Sequence, residues 1–68
     1  MMKNWVLIHT FAQNYLAVIA KEVLEDNNID ANIFSRIDSS YSHLSEFEIY
    51  VKPEDESNAK ELISKIEN

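Results

Sequence analysis

The sequence predicts an α+β domain with the element order β-α-β-β-α, three antiparallel strands in the order 1-3-2 and two helices on one face. Three observations predict it. An apolar run rich in β-branched and aromatic residues, 5–11, leads into a stretch of helical periodicity. Two alternating runs, 29–37 and 47–52, flank a polar stretch, the pattern of a hairpin with a long connection. Pro53 then stops the second run, and an acidic cluster opens an amphipathic helix that continues to the end of the chain.

The first strand, "WVLIHTF", is apolar on both faces, interrupted only by His9 and Thr10. In the next segment Leu16, Ile19, Ala20, Val23 and Leu24 recur at helical spacing, with Ala12 a turn before them. Lys21, Glu22 and Glu25 take the other face. Either Gln13 or Thr10 starts this helix. Its end is marked by Asn27 and Asn28: with no glycine in the chain, asparagine is the residue for a left-handed cap. The stretch "DSSYSHLSE" carries the turn formers Asp38, Ser39, Ser40 and Ser42 and sets the variable loop at 36–46. In "FEIYVK", Phe47, Ile49 and Val51 point one way, and Glu48, Tyr50 and Lys52 the other. Glu54, Asp55 and Glu56 complement the dipole of the last helix, whose buried stripe is Ala59, Leu62, Ile63 and Ile66.

A βαβ unit crosses right-handed, and the hairpin keeps strands two and three together. Strand three therefore lies between strands one and two, giving a ferredoxin-like split βαβ without a final strand. Its helix-covered face takes Val6, Ile8, Ile33, Phe47, Ile49 and Val51. The open face takes Trp5, Leu7, His9, Phe34 and Tyr50, an apolar surface of the kind that marks a contact site. Strand one is an exposed edge. Together these features predict a homodimer or a protein partner; the alternative is a loop at 36–46 folded over the open face.

The 68 residues make one domain, 1–68, too small to bury a large core. There is no cysteine, which removes disulfides and thiolate metal sites. Twelve acidic against six basic residues give a net charge of −6. That sign, without a basic patch, argues against nucleic acid and against anionic membranes as partners. The apolar run at the start is too short to span a bilayer, and the chain reads as soluble and cytoplasmic.

Other constellations carry less. His9 and His43 lie on different elements, and no metal or cofactor is expected. Asp38 with the serines and His43 of "SSYSH" suggests a hydrolase triad, but six consecutive loop positions do not converge from a rigid scaffold, so no catalytic residue is assigned. Arg36, Ser39, Ser40, Tyr41 and His43 have the donors of an anion-binding loop, although a loop without glycine approaches phosphate poorly. The bland reading of Arg36 is an ion pair with Asp38 or Glu46.

Two segments, "VLEDNNIDANIF" and "EIYVKPEDESNAKELISKIE", resemble a short bacterial family of unknown function named for an inferred role, the prokaryotic signal-transducing protein family. Leu24, Glu25, Ile29 and Ala31 match its first motif; Ile49, Val51, Glu54, Asp55, Ala59, Leu62 and Ile63 match its second. The chain departs from that pattern in having Asn28 for the usual glycine and "AQNY" for an Asn-Pro helix start. The resemblance implies a ferredoxin-like fold akin to the PII-type signalling superfamily and no catalytic residue. The expected function is a small non-enzymatic binding or regulatory module, with a small-molecule ligand or a protein partner. The alternative is a structural accessory subunit that stabilises a partner and has no ligand of its own.

Overall fold

The computed structural model describes residues 4–37 and 45–67. Strand β1 (Val6–Phe11) is followed by helix α1 (Asn14–Asp26), β2 (Ala31–Ile37), β3 (Ser45–Val51), a 3-10 turn (Pro53–Asp55) and α2 (Glu56–Glu67). The strands form one antiparallel sheet in the order β1-β3-β2. This is the expected βαββα, ferredoxin-like arrangement. The described strands run further into the expected 36–46 loop than the sequence suggested. Arg36 and Glu46 are ladder partners, as are Ile37 and Ser45. What connects them, 38–44, lies outside the described residues, and with it Ser39, Ser40, Tyr41 and His43.

Both helices pack on the same side of the sheet and share one core. Ala17, Ala20 and Leu24 from α1 and Ala59 and Ile63 from α2 meet Phe11, Ala31, Ile49 and Val51 from the strands. Alanine at three of the helix contact positions removes side-chain bulk between helix and sheet, so the backbones approach closely. Leu24, Ile49 and Val51 are the largest side chains that are fully buried. Val6, Ile8, Ile33, Phe47, Leu62 and Ile66 complete the core at its margins.

Local chemistry explains how α1 ends. Asn28 has φ 65°, the left-handed region that glycine usually occupies. With that turn made, the Asn28 amide donates to the Glu25 carbonyl and the Ile29 amide to the Leu24 carbonyl, both at 3.0 Å. This pair of bonds is a Schellman motif, and its apolar clasp is Ile29 against Leu24, both buried. Asn27 adds a side-chain bond, Nδ2 to the Val23 carbonyl at 2.8 Å. The helix start is less well closed. Gln13 is the N-cap and makes no side-chain capping bond, while Thr10 stays in β1.

The buried stripe of α1 differs from the expected one. Ala17 is fully buried, whereas Ile19 is 42% exposed and Ala12 is exposed. The first part of the helix, Tyr15 to Ala20, is apolar all round, so periodicity alone leaves its orientation open by about one residue. The sheet needs small residues under the helix, and that selects the alanine side. Among the described residues no helix is long and apolar enough to cross a membrane.

Candidate functional site

The face of the sheet turned away from the helices is built in three rows, each with β3 at its centre. The first lies just beyond the strand ends: Trp5, Lys52 and Asp30. Lys52 Nζ sits 6.0 Å from the centre of the Trp5 ring and 3.3 Å from Asp30 Oδ2. The second is Leu7, Tyr50 and Asn32, and the third Thr10, Glu48 and Phe34. Alternation along each strand makes these rows the reverse side of the core residues Val6, Val51, Ala31 and Ile49.

The centre of this face is apolar and accessible. Leu7 and Phe34 are each 45% exposed. Phe34 and Tyr50 meet edge to face, with ring centroids 5.6 Å apart and an interplanar angle of 87°. Such a pair adds about 0.5–1.5 kcal/mol beyond its buried area, which favours this arrangement of the two rings. The Tyr50 hydroxyl donates to Glu48 Oε1 at 3.1 Å. The patch thus has an aromatic floor, a bound hydroxyl and charges at its margins: Lys52 and Asp30 at one end, Glu46 at the other.

His9 does not belong to that face. The register slips between Leu7 and His9, a β-bulge, so His9 stands opposite Ile49 and Phe11 opposite Phe47. The extra residue reverses the alternation, which turns His9 toward the helix side. Its ring lies 4.5 Å from that of Phe11, itself buried in the core. Trp5, Leu7, Phe34 and Tyr50 remain together on the open face. Of the expected anion-binding group, Arg36 is placed only by its ladder position opposite Glu46. Among the described residues no cluster of three or more His, Asp or Glu side chains is arranged to hold a metal ion.

Two surfaces were not anticipated. On α1, Tyr15, Val18 and Ile19 are exposed together, at spacings that put them on one side of the helix. Their signal in the sequence is the excess of apolar residues over what one helix face can bury. The second is an open cleft of about 280 Å³ where the end of α1 meets α2. It is lined by Asn27, Asn28, Asp55, Asn58, Glu61 and Lys65 among others. Asn27 and Asn28 on its wall are engaged in ending α1.

Comparison with protein-family models, with curated proteins and with solved structures gave no match.

Proposed function

We propose that this chain is a small non-enzymatic binding or regulatory module that works by association on the open sheet face. The observation that supports it is the uncovered apolar centre formed by Leu7, Phe34 and Tyr50 on a sheet whose other side packs against both helices. A two-layer domain with no need for contacts on that side would place polar residues there. Trp5 and Lys52 form one wall of the surface, and Glu48 holds Tyr50 in position. A ligand or partner that covers the patch gains the burial of apolar area without the cost of ordering it. The motif resemblance supports a signalling context in a bacterial cytoplasm, and the acidic charge disfavours nucleic acid.

The test is a thermal-shift screen of small metabolites against the wild type and the Tyr50→Asp variant. A ligand present at one hundred times its Kd stabilises the native state by about 2.7 kcal/mol. The proposal expects a compound that raises the wild-type Tm and leaves Tyr50→Asp unmoved, while the two proteins without ligand unfold cooperatively. Equal stabilisation of both proteins would place binding elsewhere and overturn the reading. Loss of folding in Tyr50→Asp would assign Tyr50 to the core and overturn it as well.

A further inference from the structure

The two edges of the sheet are built differently. β1 carries the bulge between Leu7 and His9, which breaks the even spacing of its outward backbone groups. β2 runs in unbroken register against β3, from Ala31 opposite Val51 to Ile37 opposite Ser45. It contains no proline and no bulge, and its one charged residue, Arg36, stands near its end, so the stretch from Ala31 to Ser35 carries none of the usual devices that block edge pairing. Among the described residues no strand lies beyond it.

We propose that β2 pairs antiparallel with β2 of a second copy of this chain, joining two three-stranded sheets into one. This goes beyond the association reading above, because pairing along the edge leaves the open face uncovered. A twofold axis normal to the sheet keeps both helix layers on one side only where residues of like facing meet. Centred on Ile33, that axis sets Ile33 against its own copy, Asn32 against Phe34 and Asp30 against Arg36.

The charges then alternate across the seam. Lys52 is paired with Asp30 at 3.3 Å, Asp30 stands across from Arg36 of the second copy, and Arg36 has Glu46 as its ladder partner. Symmetry repeats the row in the opposite sense. Centring the axis on Phe34 instead sets Arg36 against Asn32 and forfeits this pairing. On the helix side the partly buried Ile33 meets its own copy, which extends the core through the seam. On the open side the exposed Phe34 gains Asn32 of the second copy as a neighbour. The joined sheet carries two apolar patches side by side on one continuous face.

Light scattering across a concentration series tests this, with a charge exchange to fix the register. The wild type is expected to approach twice the 7.9 kDa of the chain as concentration rises. Asp30→Arg and Arg36→Asp each set like charges across the seam and are expected to raise the dimer Kd about tenfold or more. The double variant restores opposite charges and is expected to return to within about threefold of the wild type. A wild type that stays monomeric overturns the proposal. So do single variants that dimerise normally, or a double variant that fails to recover. None of these results bears on ligand binding at Tyr50, which the thermal-shift comparison reads whatever the mass.

Discussion

Replacing Asn28 by alanine isolates the one position among the described residues where the backbone demands an unusual residue. Asn28 sits at φ 65°, and a residue with a β-carbon costs about 1–2 kcal/mol there, less for asparagine than for alanine. The amides of Asn28 and Ile29 make their bonds to Glu25 and Leu24 only if that turn is kept, and Ile29 is buried against Leu24 by the same turn. Asn28→Ala therefore keeps the fold and loses about 1 kcal/mol. In a domain of this size that lowers Tm by about 4–8 °C. Asn28→Gly removes the steric cost while adding freedom to the unfolded chain, so it is expected to equal the wild type or exceed it by up to about 1 kcal/mol. Thermal unfolding followed by circular dichroism ranks the three proteins. An alanine variant as stable as the wild type would refute the argument, because it would mean the left-handed turn contributes nothing to the end of α1.

Three further outcomes follow from the packing. Leu24→Ala removes a fully buried side chain and is expected to cost about 2–5 kcal/mol, enough to unfold much of a small domain in denaturant titration. Ile19→Lys is expected to change stability by no more than about 0.5 kcal/mol in the same titration, since Ile19 faces solvent; a loss of several kcal/mol would return it to the core. Ala20→Leu forces bulk between α1 and the sheet and is expected to cost about 1–3 kcal/mol, measured the same way.

Element order and sheet topology were legible in the sequence because they rest on strong local signals. The alternation of Phe47, Ile49 and Val51 marks β3, Asn28 marks the end of α1, and Pro53 marks the end of the sheet. The stripe of α2 was legible for the same reason: its polar and apolar residues separate cleanly. The stripe of α1 was legible only in part: Ala20 and Leu24 are buried and Leu16 packs against the core, but Ile19 is exposed and Ala17 takes its place, because Tyr15, Val18 and Ile19 are as apolar as the residues that are buried. What turns the helix is the fit of Ala17 and Ala20 against the sheet, a property of the layer and not of the helix. His9 was misplaced for a related reason. Strict alternation assigns it to the open face, and only the pairing with β3 reveals the extra residue that sends it to the other side. The remainder of the open face, Trp5, Leu7, Phe34 and Tyr50, followed from alternation on strands that carry no such slip or lie before it.

The central claim is that this chain makes its contacts on the sheet side and along β2, with the helices serving as its packed back. The most direct measurement is a dilution series of amide spectra by nuclear magnetic resonance. The account predicts concentration-dependent shifts concentrated at Asp30, Asn32, Ile33 and Phe34, with Tyr15, Val18 and Ile19 unmoved. Shifts centred on those α1 residues, or none anywhere on β2 at high concentration, would contradict it.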